Sequence, residues 1–329
     1  MNNLNNKKNK STINNNVIKT NIKNDMKDDM KDDMKDDMKD EIKTIKKTTK
    51  NCSIKSDKTE NKLVVNTKKN ISPLRYPGGK TRACKILGET ILKYFTLNNY
   101  DSVISPFFGG GSFEFYLQNS YNKKILANDK FTPLYNFWKQ TKYNNIELYN
   151  ELKDIKNIKK DDFQEYRDEI MNLNDNMLKQ AKLYFIINRC SFSGSTLSGG
   201  FSEEASEKRF TESSKEKIKN LNLTDFEIYN YDFEKFIDDY YIENKTLMFL
   251  DPPYYLEEKS NLYGKNGDLH EIFDHQKLYQ IIKNKKWIMT YNDCEYIRKL
   301  YSQYLILSVN WSYGMNKSKK SSEIIIINF

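Results

Sequence analysis

Asp251-Pro252-Pro253-Tyr254 puts a carboxylate, two rigid residues and an aromatic ring within four positions. It follows Leu247-Met248-Phe249-Leu250, an apolar run that predicts a buried β-strand. Two prolines cannot continue a hydrogen-bonded ladder and fix an extended turn. The acid and the ring are therefore expected at the C-terminal edge of a sheet, where open α/β sheets bind their ligands. Such a pair suits a planar amine. An exocyclic amine on an aromatic ring is a poor nucleophile because its lone pair is delocalised. Two acceptors, the Asp251 carboxylate and the Pro252 carbonyl, would draw its N–H groups out of the ring plane and free that lone pair. Tyr254 would stack on the ring.

The elements that must position this turn can be read on either side of it. Ser102 to Phe108 predicts a strand, followed by Gly109-Gly110-Gly111-Ser112 and the start of a helix at Phe113. A strand, a glycine turn and a helix open a nucleotide-binding α/β unit. The dinucleotide fingerprint wants a small residue where Glu114 stands, which disfavours NAD. The next strand, Lys124 to Asn128, ends on Asp129, at a spacing that suits an acid accepting hydrogen bonds from ribose hydroxyls. A nucleoside-bearing methyl donor, a sulfonium, could thus be held beside the amine for an in-line transfer that needs neither a metal nor a covalent enzyme intermediate. Gly79-Lys80-Thr81 lacks the earlier glycine of a phosphate-binding P-loop, since Leu74 occupies that position, so a nucleotide triphosphatase is rejected.

Upstream, Ser72 to Lys80 carries the first prolines and glycines of the chain, with Tyr76 and Lys80 flanking Gly78-Gly79, and a helix is expected over about 81–95. Residues 146–225 read as mostly helical and polar, with a loop from Asn188 to Ser202 rich in hydroxyls and glycine, bearing Arg189 and two phenylalanines, a composition suited to hugging a nucleic-acid backbone. The α/β pattern then resumes through Phe226–Asn230, Asp232-Phe233 with a following helix, and Thr246–Leu250. A lid-like stretch over 257–268, a helix at 274–284, a strand at 287–291, a helix at 293–302 and a closing antiparallel hairpin of strands near 304–311 and 323–329 complete the pattern. His270 and His275 lack partners for a metal site or a catalytic dyad and are expected to be surface or structural histidines.

Residues 1–70 contain no glycine, proline or aromatic, whereas all 44 aromatics lie in 71–329. A chain this polar cannot offset its ordering entropy by burial, so a disordered tail is expected, its Met-Lys-Asp-Asp repeats a spacer. Eighteen lysines there face eleven acids, a surplus of seven out of the formal net charge of +9, which leaves +2 for the rest. Four scattered cysteines with no paired spacing, no long apolar run and no apolar leader segment point to an intracellular, non-secreted protein off the membrane, without disulfides or structural zinc.

Arg75-Tyr76-Pro77-Gly78-Gly79-Lys80, then Pro106 to Ser112, Asn188 to Gly194, and Asp251 to Tyr254, in that order, resemble the Dam-type family of DNA adenine-N6 methyltransferases, over roughly 71–329. The resemblance implies a class I, S-adenosylmethionine-dependent enzyme that flips an adenine out of duplex DNA. It carries Tyr76, Lys80, Phe107, Gly109, Gly111, Asp129, Asp232 and Phe233 onto the cofactor, Asp251, Pro252, Pro253 and Tyr254 onto catalysis, and Asn188, Arg189, Ser193 and Gly194 onto DNA contact. The expected organisation is a Rossmann-like, seven-stranded, mostly parallel sheet built from 71–145 and 226–329, with 146–225 inserted as a helical target-recognition subdomain. A monomer or weak dimer is expected, with a cognate restriction endonuclease as a further partner. Two positions depart from the family. Ser105 stands where an acid precedes the Pro-Phe pair, and no basic residue follows soon after Gly194, so GATC is not assumed as the target. RNA or protein-amide methylation on the same fold, and a DNA-binding homologue without turnover, remain the alternatives.

Overall fold

The computed structural model describes residues 70–173, 175–255, 273–310 and 322–329. The tail, the lid-like stretch and the connection between the last two strands lie outside the described residues. Seven strands form one sheet in the order β3-β2-β1-β4-β5-β7-β6. They are β1 (Ser102–Ser105), β2 (Lys124–Asn128), β3 (Phe226–Tyr229), β4 (Thr246–Leu250), β5 (Trp287–Asn292), β6 (Leu305–Asn310) and β7 (Ser322–Asn328). The first five pair in parallel, and β7 runs antiparallel between β5 and β6. This is the mostly parallel sheet with an antiparallel closing hairpin that the sequence predicts.

Strand periodicity builds two cores. Val103, Ile125, Ala127, Leu247, Phe249, Ile288 and Ile325 point to one face, and their neighbours Ile104, Leu126, Met248, Leu250, Met289 and Ile324 to the other. Both faces must be covered, so the strands read as continuous apolar runs rather than as alternating ones. Helices α1 (Cys84–Tyr94), α2 (Ser112–Tyr121) and α3 (Thr132–Tyr143) supply Leu87, Phe113, Phe137 and Trp138 to the first core. Helices α9 (Phe233–Tyr240), α10 (His275–Ile282) and α11 (Glu295–Leu300) supply Phe236, Leu278 and Ile297 to the second.

Between β2 and β3 the chain leaves the sheet. Beyond α3 it forms α4 (Asn145–Lys153), α5 (Lys160–Ile170), α6 (Met177–Cys190), α7 (Glu203–Arg209) and α8 (Glu212–Asn220). These helices do not build a core of their own. Phe185 of α6 stacks on Phe137 of α3, ring centroids 5.9 Å apart, and α6 buries Leu183, Tyr184, Ile186 and Ile187 in the core that backs the sheet.

The strand order reverses at the β1–β4 pair: the chain moves from β1 to β2 and β3 on one side and from β4 to β5 on the other. Crossover helices on opposite sides leave a crevice at the C-terminal ends of those two strands. The glycine turn after β1 and the Asp-Pro-Pro-Tyr turn after β4 open into that crevice.

Candidate active site

Asp251 leaves β4 partly exposed, and its Oδ1 is held twice. The buried Lys80 ammonium ion-pairs with it at 2.9 Å, and the Thr290 hydroxyl donates to it at 2.6 Å. Oδ2 takes no partner among the described residues. Lys80 also donates to the Gly78 carbonyl at 2.8 Å and lies 5.1 Å from the centre of the Tyr254 ring, in cation–π range. Adjacent β5 steadies the remainder of the turn. Tyr291 stacks beside Tyr254 with centroids 5.8 Å apart, and the Asn292 amide donates to the Tyr255 carbonyl at 2.8 Å. Pro252 is buried and Pro253 half-buried. Thr290 and Asn292 escape a motif reading, because only the β4–β5 pairing brings them to the tetrad.

The glycine turn is shaped by Tyr76. Gly109 has φ +51°, and a Cβ there would meet the Tyr76 ring at 2.8 Å, so a side chain is excluded on both counts. The turn is pinned by Asp129, whose Oδ2 accepts from the Gly109 N–H and whose Oδ1 accepts from the Phe131 N–H, both at 2.9 Å. Burial pushes the Asp129 carboxyl up to about 6 against those two bonds. Asn128 joins the same edge to β3, donating to the Pro106 and Tyr231 carbonyls and accepting from the Tyr231 N–H. Phe107 and Phe233 meet at 5.6 Å, and Phe273, which carries no motif, closes a three-ring cluster with both. Asp232 caps α9 and pairs with Lys130 at 2.9 Å. A cleft between the Tyr76–Lys80 segment, the glycine turn and the end of β4 is lined by Tyr76, Lys80, Gly109, Gly111, Glu114 and Asp251 among others.

Two groups of sequence-predicted residues are thus brought together. Tyr76, Lys80, Gly109, Gly111 and Asp251 share one cleft. Phe107, Asp129, Asp232 and Phe233 lie along the neighbouring strand ends. The DNA-contact set is divided. Asn188 is fully buried, accepting from the Arg75 N–H at 2.9 Å and donating to the Arg75 carbonyl at 2.6 Å, with further bonds to Gly194 and Thr196. Its side chain clips the loop to the segment that carries Tyr76 and Lys80, and reaching DNA would require that clip to open. Gly194 presses on the same segment: with φ +72°, a Cβ would meet Arg75 backbone and side chain at 2.6 Å. Arg189 donates to the carbonyls of Arg209 and Pro73. Burial, with Arg75 and Arg209 nearby, lowers its pKa to about 9. Ser193, in left-handed conformation at φ 59°, sits at the half-buried tip beside Phe192, which is 69% exposed.

His275 is buried and bonds the Tyr291 hydroxyl among Tyr255, Phe273 and Tyr296, a structural placement as expected. Cys84 and Cys190 are buried thiols. Among the described residues no cluster of His, Cys, Asp or Glu could hold a metal, and no helix is long and apolar enough to cross a membrane.

A sequence profile for the D12 class N6 adenine-specific DNA methyltransferases matches residues 76–315. The type II methyltransferase M.MjaIII of Methanocaldococcus jannaschii is 26% identical over 199 residues, covering 55% of this chain and 68% of the relative. Of the three readings left open by the motifs, these matches support methylation of adenine in DNA. The chain belongs to the D12 class N6 adenine-specific DNA methyltransferase family, which makes it an enzyme acting on DNA adenine and implies S-adenosylmethionine as its methyl donor.

Proposed function

We propose that the protein methylates N6 of adenine at a specific site in duplex DNA, with the target base swung out of the stack to meet Asp251 and Tyr254. The observation that carries this reading is the Asp251 carboxylate, gripped at one oxygen by Lys80 and Thr290, beside a glycine turn in the same cleft. The residues present suit S-adenosylmethionine. Backbone rather than side chains lines the turn because Tyr76 leaves no room for a Cβ, an acid sits at the next strand end, and aromatic rings wall the far side. When bound, the donor supplies an electrophilic methyl on a sulfonium sulfur.

Asp251 Oδ2 and the Pro252 carbonyl accept the two N–H groups of the amine, and Pro253 keeps that carbonyl in place. As positive charge grows on the nitrogen, the carboxylate stabilises it without having to reorganise. Tyr254 stacks on the base. Tyr76, Lys80, Phe107, Gly109 and Gly111 would hold the donor, Asp129 would accept from its ribose hydroxyls, and Asp232 and Phe233 would line its adenine. No metal is required.

The helical insertion 146–225 is assigned to target recognition. Phe192 suits the gap left by a flipped base, since an exposed ring on a loop tip can stack there. Asn188 and Gly194 set that tip relative to Tyr76 and Lys80, and Arg189 and Ser193 belong to its DNA-facing side. A monomer, or a weak dimer, acting with a cognate restriction endonuclease is the biological setting proposed; the relative's type II designation supports it. Transfer of label from S-adenosylmethionine to adenine in mixed-sequence duplex DNA tests the reading. No label in adenine while donor binding is demonstrable would overturn it. Modification-sensitive sequencing of DNA from expressing cells then gives the target site.

A further inference from the structure

Glu114 lies in the first turn of α2, 2% exposed, and lines the cleft together with Lys80 and Asp251. Its Oε1 accepts a hydrogen bond of 2.5 Å from the Ser105 hydroxyl at the end of β1. A carboxyl is a costly group to bury on a neutral partner, and a structural role at this position would be met equally by an uncharged amide. The amino-acid end of S-adenosylmethionine carries an ammonium, which needs an acid to receive it. The residues lining the cleft include two acids, Glu114 and Asp251. Asp251 is engaged by Lys80 and Thr290 and is assigned to the target amine.

We propose that Glu114 receives the ammonium group of the methyl donor's amino-acid end, with Ser105 as the hydroxyl that orients it. The inference rests on the donor site described above. It also accounts for Ser105 itself: the strand end offers a hydroxyl, and the carboxylate comes from the helix that follows.

Protonation fits this role. Burial pushes the Glu114 carboxyl up to about 8; the Ser105 bond and Lys80 pull it down, and Asp251 pushes it further up. Facing it are Ser105 from β1, Lys80 and Cys84 from the amino-terminal segment and α1, and Asp251 from the turn after β4. Burial thus biases the Glu114 carboxyl toward its protonated form before the donor binds. An ammonium placed beside it favours the ionised form. The O–H bond of Glu114 breaks, its proton passes to solvent, and the ligand keeps its own charge. Binding is therefore accompanied by proton release.

The test is calorimetric binding of S-adenosylhomocysteine and of 5′-methylthioadenosine, which lacks the amino-acid end, at pH 7 in two buffers of different ionisation enthalpy. The full chain is compared with Glu114→Gln and Ser105→Ala. The expected result is that Glu114→Gln weakens S-adenosylhomocysteine by about 10- to 100-fold, a charge-assisted bond, and leaves methylthioadenosine within twofold. It also abolishes the proton release seen with S-adenosylhomocysteine alone. Ser105→Ala should weaken S-adenosylhomocysteine less and retain the release. Unchanged binding in Glu114→Gln, or equal weakening of both ligands, overturns the inference while the donor site stands. Failure of the unaltered protein to bind either ligand overturns the donor site and the inference with it. Should Glu114→Gln not fold, the unaltered protein decides: release with S-adenosylhomocysteine only supports the inference, and equal release with both ligands overturns it.

Discussion

The sheet-edge cleft and the loop over 188–202 both gather charge around segment 72–80, and they treat it in opposite ways. In the cleft, the buried Lys80 meets an acid, Asp251, while a second acid, Glu114, stands beside it. At the loop, Arg75, Arg189 and Arg209 converge with Glu204 nearby, and the Arg189 guanidinium donates to the Arg209 and Pro73 carbonyls rather than to an acid. Paired charge with one unused carboxylate oxygen suits a small ligand that brings its own cation and amine. Surplus positive charge suits a polyanion such as DNA phosphate. The Asn188 amide ties the two regions together, so that what the loop touches can set where Tyr76 and Lys80 stand.

This contrast can be broken at either end. The largest effect is expected from Asp251→Ala. Label transfer to DNA should fall by roughly 10²–10³-fold or more, the cost of removing one transition-state contact, while S-adenosylhomocysteine binding changes only a few-fold. A parallel loss of binding would mean that Asp251 belongs to the donor site rather than to the amine.

Glu114 separates the two regions by pH. Its folded-state pKa, about 8, lies above that of an unfolded glutamate. Stability contributed by the protonated form is therefore complete below about pH 4 and lost as pH rises to about 8. Denaturant melts of Glu114→Gln between pH 5 and 8 should show a flatter profile than the parent. An unchanged slope would place the titration elsewhere.

Asn188→Ala removes the clip and leaves the Arg75 backbone groups unpaired, at a cost of roughly 2–4 kcal/mol. The melting temperature should fall, and both DNA and donor affinity should weaken. Loss of DNA binding alone would make the clip a local feature of the loop. Phe192→Ala should leave stability unchanged, because the ring is exposed, and weaken binding of duplex substrate by about 5- to 100-fold, as loss of one stacking contact does. Equal affinity in a gel-shift titration would remove the ring from recognition. The smallest effect is expected from Thr290→Val. Loss of one hydrogen bond to Asp251 should lower kcat by roughly 5- to 20-fold with KM little changed. A shift in KM alone would make Thr290 a binding residue.

Local chemistry made much of this protein legible without coordinates. The apolar run before Asp251 had to be a strand buried on both faces, and the prolines after it had to end that strand. Gly109 was a turn residue on its own conformational grounds. The closing strands and the helical character of 146–225 followed from patterning. Element ends moved by a few residues: α1 begins at Cys84 rather than near 81, because Lys80 to Ala83 form a turn first.

What only the tertiary structure decided is which distant residues share a site. Strand order brings Thr290 to Asp251, the placement of segment 72–80 across the sheet edge brings Lys80 there, and α2 turns Glu114 into the cleft. The same packing gives Asn188, read from its motif as a DNA contact, an interior partner in Arg75. The physical reason is one of range. Backbone preference and burial periodicity act over a few residues and are written in the sequence around each element. Pairing of buried polar groups across the fold depends on how the sheet is wound, and no stretch of sequence states that by itself.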